Sequence, residues 1–262
     1  MSEFISLYSG SSGNCSVVRT GGKYIIIDMG KGVRTTSAAL KELGLNISDC
    51  AGILVTHEHS DHVKGLATFL KKNPLPVYGA DDTLDFLDAN GIVPASCALR
   101  TLSGGEEDVG DFGVTMFPTS HDVPCVGYRI RTPDNKTMTI ATDLGVLTLP
   151  VHQALSGCDL VALESNYDLH MLRSGRYPYY LRSRIESNRG HLSNDECSAK
   201  LLELIQEGCK KFALCHLSQE NNTPALALQT MFNTLGAAGV VPEKDCIVQA
   251  QRRNEISPAL TF

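Results

Sequence analysis

Three of the chain's eight histidines fall within the seven residues Thr56-His57-Glu58-His59-Ser60-Asp61-His62. At this composition, about 4 × 10⁻⁴ matches to H-x-H-x-D-H are expected by chance in such a chain. Imidazole and carboxylate side chains are ligands for zinc, manganese or iron. His57 and His59, two apart in an extended or turning segment, can address one metal ion. Asp61 and His62, a turn further on, can reach a second. Two ions need more ligands than these four, and further candidates stand where apolar runs end: His121 after 114–117, Asp143 after 138–141 and His216 after 211–215. Asp28, after 24–27, fits the same pattern. A catalytic metal site keeps one position open for water, so the chemistry indicated is metal-assisted hydrolysis.

Strand ends must deliver these residues. Short apolar runs predict strands over 4–8, 15–19, 24–27, 51–55, 77–78, 114–117, 126–130, 138–141, 160–163 and 212–215. Helices are predicted over 35–43, closed by Gly44, and over 63–72, ending before Asn73-Pro74. A third follows Ser193 and Glu196, which have capping-box spacing, and runs to 206. A fourth covers 224–235, between Thr223-Pro224 and Gly236. Strands first, then strands alternating with helices, predict two sheets with helices outside them in one α/β domain.

Composition narrows the classes. With 42% hydrophobic and 20% charged residues the chain is expected to be an ordinary globular protein. No apolar run approaches the roughly 20 residues that span a bilayer. The start, MSEFISLYSG, lacks the basic and apolar regions of a secretory signal, so a cytoplasmic location is expected. The nine cysteines contain no C-x-x-C and are expected to be reduced. A net charge of −6 excludes uniform coating of nucleic acid, so a polyanion would have to meet a local basic patch.

The set H-x-H-x-D-H, a separate His121, a strand-ending Asp143 and a final His216 resembles the metallo-β-lactamase superfamily over most of the chain. The resemblance implies a four-layer αββα sandwich occupying 1–262 as a single domain. It implies that His57, His59 and His121 hold one ion and Asp61, His62 and His216 another. Asp143 would bridge them, and Asp28 would orient the ligands. An all-N/O set permits two divalent ions, Zn²⁺ or Mn²⁺.

The fold hosts lactam, thioester, lactone and phosphodiester hydrolysis, so the substrate must be read elsewhere. Ser9-Gly10-Ser11-Ser12-Gly13-Asn14 is either a flexible hairpin or a cradle of backbone amides for an anion, with Ser12 and Asn14 the candidate contacts. His191, in Gly190-His191-Leu192-Ser193-Asn194, stands beside a helix N-terminus, where a phosphate would be met. The stretch 166–190 reads as a basic and aromatic insertion, with Arg173, Arg176, Arg182, Arg184 and Arg189 and with Tyr167, Tyr177, Tyr179 and Tyr180. Arginines pair with phosphates and tyrosines stack on unpaired bases. The alternative is a solvated face whose tyrosines anchor a structural cap.

The motifs GSSGN, ESNYD and GHLSN resemble the YycJ/WalJ group, regarded as DNA exonucleases. That resemblance implies a phosphodiester hydrolase acting on single-stranded DNA or on 5′ ends. Asp61 would then orient the nucleophile, His191 would act on the phosphate or the leaving oxygen, and Arg173, Arg176, Tyr179, Tyr180, Arg182 and Arg184 would grip the strand. Two alternatives remain open: a small-molecule hydrolase (a thioesterase, lactonase or cyclic phosphodiesterase) and a non-catalytic binding module. His152 and His170 receive no role.

Overall fold

Side chains on successive positions of the apolar runs face opposite clusters, and this sets the layering. In Tyr24-Ile25-Ile26-Ile27, Tyr24 and Ile26 belong to one buried cluster and Ile25 and Ile27 to another. A strand with period-two side chains and no polar face must be covered on both sides. The computed structural model, which describes residues 1–262, shows what covers it.

The first sheet contains β1 (Glu3–Tyr8), β2 (Cys15–Thr20), β3 (Lys23–Ile27), β4 (Cys50–Leu54), β5 (Val77–Gly79) and β6 (Leu99–Thr101). The second contains β7 (Glu106–Val109), β8 (Phe112–Thr119), β9 (Cys125–Arg131), β10 (Thr137–Ala141), β11 (Leu160–Glu164), β12 (Lys211–Cys215) and β13 (Ile247–Ala250). A last strand, β14 (Leu260–Thr261), returns to pair with β1. The two seven-stranded orders are β14-β1-β2-β3-β4-β5-β6 and β13-β12-β11-β10-β9-β8-β7. Each sheet is antiparallel on one side and parallel on the other, the parallel parts being β3 to β6 and β10 to β13.

The helices are α1 (Val33–Glu42), α2 (Ser60–Val63), α3 (Leu66–Leu70), α4 (Asp81–Ala89), α5 (Leu149–Leu155), α6 (Leu169–Ser174), α7 (Tyr179–Ile185), α8 (Asn194–Gln206) and α9 (Pro224–Ala237). Leu40, Phe69, Leu70 and Leu84 from α1, α3 and α4 cover the outer face of the first sheet against Ile26, Ile53 and Val77. Leu155, Leu201, Leu204, Met231 and Leu235 from α5, α8 and α9 cover Val161, Leu163 and Phe212 of the second. Between the sheets lie Phe4, Ile25, Ile27 and Leu54 against Phe112, Val114, Tyr128 and Leu160. This is the expected αββα sandwich. Burying one such Leu, Ile or Phe side chain contributes about 1.5–3 kcal/mol.

Two local expectations are refined. The helix read over 63–72 is two short helices, α2 and α3, separated by Gly65, because the chain there runs against Lys31, whose carbonyl a Cβ at Gly65 would strike. The helix begins earlier than expected, so that Asp61 and His62 stand on α2 itself. The cap of α8 is as read, with Ser193 accepting from the Glu196 amide and Glu196 accepting from the Ser193 amide. All nine cysteines are free thiols, eight of them buried.

Gly30 packs directly under the histidine cluster, where a Cβ would meet the Asp61 carbonyl and the Asn14 amide. Its own amide donates to Asn14 O at 2.8 Å. Gly30→Ala is therefore expected to cost about 1–3 kcal/mol in denaturant unfolding, as overpacking of rigid backbone does. A variant as stable as the parent would show that this contact is loose.

Candidate metal centre

The candidate ligands lie at or past the carboxyl ends of strands, the edge from which side chains converge on a common crevice. β3 leads to Asp28, β4 to Thr56 and His57, β8 to His121, β10 to Asp143, β11 ends on Glu164, and β12 leads to His216. Asp28, Asp143 and His216 have φ of 60°, 58° and 54°. A left-handed backbone at a non-glycine residue is uncommon and costs on the order of 1–3 kcal/mol, so three of them at one site mark where the chain turns sharply to aim side chains inward.

Ligating atoms gather within 4.8 Å of one another in four groups: His57, His59 and His121; Asp61, His62 and His216; His57, His62 and Asp143; and Asp143, Glu164, His191 and His216. The expected ligands are thus brought together, with Asp143 shared between groups. Hydrogen bonds on the far ring nitrogens fix how the imidazoles face. His62 Nδ1 donates to Asp28 Oδ2 at 2.7 Å, and His121 Nδ1 donates to the Gly190 carbonyl at 3.1 Å. Each such bond turns its ring so that Nε2 faces the cluster, the arrangement by which outer hydrogen bonds orient metal-binding histidines. Asp28 is itself held by the Thr56 amide at 2.8 Å and the Thr56 hydroxyl at 2.9 Å.

His57 Nε2 is buried and has no hydrogen-bond partner. A dry, unpaired imidazole nitrogen is costly, and a metal ion is the partner that this nitrogen, facing His59 and His121, is placed to take. The donor set fits a divalent transition metal.

Electrostatics agree. Burial, followed by the adjacent His62, holds His57 well below the ordinary histidine range, so its lone pair is available at neutral pH. Burial likewise lowers His121. His62 and His216 behave oppositely: burial again opposes their charge, yet Asp143 and Asp28 beside His62 lift it well above the usual value, and Asp143 and Glu164 beside His216 raise it to about 9. Burial pushes Asp143 up, but His216 and His62 outweigh it and keep this carboxylate well below its usual range.

Glu164, not singled out in the sequence as a site residue, is fully buried. Its Oε1 accepts from His191 Nδ1 at 2.8 Å, and its Oε2 accepts from the Leu144 and Leu192 amides at 3.1 and 3.0 Å. The signal that could have found it is the one that found Asp143: an ionisable residue closing an apolar strand. Burial opposes the His191 charge, while Glu164 and then Asp143 raise its pKa above the ordinary value. The His191 ring lies 5.3 Å from both the His121 and the His216 rings, centroid to centroid.

Asp122 is a second site residue that the sequence did not single out. Its Oδ1 lies 3.1 Å from His121 Nε2 and 3.6 Å from His59 Nε2, and its Oδ2 pairs with Arg184. The stretch 166–190 borders this side of the site: Leu181, Arg184 and Ile185 from α7 share a cavity of about 160 Å³ with His121, His191 and Ser11. Tyr179 and Tyr180 are 78% and 74% exposed. Arg173 pairs with Glu186, Arg182 donates to the Arg173 carbonyl, and Arg176 is exposed. Ser12 is exposed, whereas Asn14 is buried and turns inward, its Nδ2 3.0 Å from His62 Nε2.

Fold and site define a metallo-β-lactamase-type protein. The family described as "Beta-lactamase superfamily domain" matches residues 23–216, and the chain belongs to that superfamily. It is 35% identical over 237 residues to the exodeoxyribonuclease YycJ of Bacillus anthracis, covering 90% of each chain. It is 32% identical over 235 residues to the exodeoxyribonuclease WalJ of Streptococcus pneumoniae, covering 88% of this chain and 87% of that one. Among solved structures, the metallo-β-lactamase fold protein YhfI of Bacillus subtilis superposes with a TM-score of 0.75 at 15% identity, over 98% of this chain and 100% of that one. No helix is long and apolar enough to cross a membrane.

With both pKa values raised, His62 and His216 are protonated at neutral pH in the metal-free protein, so a metal bound by them would displace those protons. Uptake at neutral pH is expected to release protons, and the release should fade above pH about 9. The same shift governs the metal-free protein. A histidine whose folded pKa is raised from 6.5 to about 9 stabilises the fold fully below 6.5 and ceases to do so as pH rises through about 9. Titration of chelator-treated protein with Zn²⁺ in dilute buffer containing an indicator dye reads the first effect. Proton uptake, or none at pH 7, would contradict the assignment.

Proposed function

We propose that this protein is a binuclear metal-dependent phosphodiester hydrolase, an exonuclease acting on single-stranded DNA or 5′ ends. The observation that carries the reading is the Glu164–His191 pair, set beside the ligand cluster and under the basic insertion. Two relatives named exodeoxyribonucleases over nearly the whole chain support it.

In this reading His57, His59 and His121 would hold one ion and Asp61, His62 and His216 the other, with Asp143 contributing to both. Zn²⁺ or Mn²⁺ held there would supply Lewis-acid charge and acidify water. The chain's own groups do the rest. Glu164 retains the proton on His191 Nδ1 and favours the imidazolium, so Nε2 presents a charged donor to a non-bridging or leaving oxygen. Asp61 orients the attacking water. Asp28 fixes His62, and Asn14 shapes the pocket beside it rather than meeting substrate. Ser12, Arg173, Arg176, Arg182 and Arg184 contact phosphates, and exposed Tyr179 and Tyr180 stack on bases.

A small-molecule phosphoesterase is a second reading, favoured by Arg173 and Arg184 being engaged by Glu186 and Asp122. The two separate by assay against labelled single-stranded DNA, duplex DNA, RNA and a chromogenic phosphodiester. Turnover of the small ester alone would decide for the second.

His191→Ala is expected to retain two ions by elemental analysis while turnover falls by about 10²–10³-fold. Asp143→Ala should lose metal and activity together. Glu164→Gln should lower the acidic-group pKa seen in the pH–rate profile, because the carboxylate that raises His191 is gone. Metal loss in the His191 variant, or a firm stoichiometry of one ion in the parent, would overturn these assignments.

Tyr179→Ala and Tyr180→Ala should weaken single-strand binding by about 1–3 kcal/mol each with little change in its salt dependence. Arg182→Ala with Arg184→Ala should flatten the log–log salt slope by roughly 0.7 for each phosphate that is no longer neutralised. Fluorescence anisotropy across a salt series reads both. Unaltered binding in both sets would make the insertion a structural cap.

A further inference from the structure

Two cations, Lys31 and Arg253, pack on the loop Ser9–Asn14 and have no role in the hydrolytic centre described above. Gly13 N donates to Gly10 O at 2.9 Å, closing a turn with Ser11 and Ser12 at its tip. Asn14 Oδ1 accepts from Gly10 N at 2.9 Å, and the Ser9 hydroxyl accepts from His216 N at 2.8 Å. Asn14 N donates to the Asp61 carbonyl at 2.8 Å, so the loop is pinned at both ends to candidate ligands. Both Ser11 and Ser12 are exposed, and neither backbone amide donates within the protein. Successive free amides at a turn make an anion-binding concavity.

The cations flank this tip. The Lys31 stem lies against Gly13, and the Arg253 stem against Gly10. Both glycines have φ near +150° (151° and 152°), and a Cβ at either would collide with these stems or with nearby backbone. Neither cation has a carboxylate partner. Lys31 Nζ donates to Arg253 O at 3.1 Å and Asn254 Oδ1 at 2.6 Å, and sits 5.0 Å over the Tyr8 ring. Arg253 donates from one terminal nitrogen to Ser218 O at 2.8 Å, while its Nε is buried without a partner. Nearby Glu255 is taken by Arg252. Two unpaired cations held together in an acidic protein repel each other, and Arg253, after burial, lowers the Lys31 pKa. An anion between them would relieve this cost.

We infer that Ser11, Ser12, Lys31 and Arg253 form a second phosphate subsite, which takes a phosphate of the bound strand other than the one cleaved. The inference rests on the nuclease reading above. Ser11 and Ser218 line the same cavity as His121 and His191, so a strand with its scissile phosphate at the metals would place a neighbouring phosphate against this loop. The wall opposite, from α7, belongs to the insertion. The strand would be held from both sides of the centre.

The test is equilibrium binding of a phosphorothioate oligothymidylate, resistant to cleavage, to the metal-loaded protein across a salt series. The double variant Lys31→Gln/Arg253→Gln keeps the stems against Gly10 and Gly13 but removes both charges. Its affinity is expected to fall roughly tenfold or more, as removal of charged hydrogen bonds does, and its log–log salt slope to flatten by about 0.7 for one phosphate. Lys31→Arg/Arg253→Lys should restore the parental slope. Strands with a 5′-phosphate and a 5′-hydroxyl are compared. A loss confined to the phosphorylated strand assigns the subsite to the terminal phosphate, and an equal loss assigns it to an internucleotide one. An unchanged slope and affinity in the Gln double variant, with circular dichroism and metal content intact, overturns the subsite. Hydrolysis of unmodified DNA by the parent protein is measured separately: its absence would refute the nuclease reading, while the binding result judges the subsite alone.

Discussion

His62 lies between two carboxylates that come from different sheets. Asp28, at the end of β3, accepts from its Nδ1 at 2.7 Å, and Asp143, beyond β10, lies 3.3 Å from its Nε2. All three side chains are essentially inaccessible to solvent. Charge buried this deeply is costly unless it is paired and hydrogen-bonded. The pairing here works only if the two sheets keep one relative position, so the packing of Ile25, Ile27 and Leu54 against Tyr128 and Leu160 and the alignment of the ligands are the same constraint. Removing one partner would leave the other charged group buried and unpaired, which is why the cluster cannot be dismantled residue by residue without disturbing the seam.

The strained turns follow from this. A strand buried on both faces has no polar side chain to offer until it ends, and the first ionisable residue after its end must be turned back over the sheet edge. Asp28, Asp143 and His216 make that turn in the left-handed region. The stability that offsets the strain comes from the two apolar clusters on the outer faces and the third between the sheets. Rigid strands therefore fix the candidate ligands, while the loop 9–14 and the stretch 166–190 lie outside the two sheets and have more freedom to vary.

How far the sequence is legible divides along the same line. His57, His59, Asp61, His62, His121, Asp143 and His216 are readable because each follows an apolar run whose periodicity is local. The capping box at Ser193 and Glu196 is readable for the same reason. Glu164 carries the same local signal, an ionisable residue closing an apolar run, but its pairing with His191, 27 residues later, appears only once β11 is folded. Asp122 and Arg253 are invisible in the sequence because their significance is purely tertiary: one lies beside His121 Nε2, and the other meets a loop more than two hundred residues earlier in the chain. Short edge strands such as β6 and the helices α4 and α5 also escape, since pairing and packing, rather than their own patterns, hold them. Arginines in the insertion can be counted in the sequence, but whether each is free or already paired, as Arg173 is with Glu186, depends on folding.

Asp122 shows how the insertion and the centre are joined. Arg184 holds its carboxylate from α7, while Arg189 donates to the His121 and Asp122 carbonyls at 2.9 and 3.0 Å. His121 Nδ1 donates in turn to the Gly190 carbonyl. The backbone on either side of a candidate ligand is thus clamped by the segment that also presents Tyr179 and Tyr180 to solvent. Asp122 Oδ2 is taken by the Arg184 guanidinium while its Oδ1 faces His59 and His121, so whatever displaced Arg184 would change the charge beside both imidazoles. The position of α7 and the charge facing His59 and His121 therefore depend on one residue pair, Arg184 and Asp122.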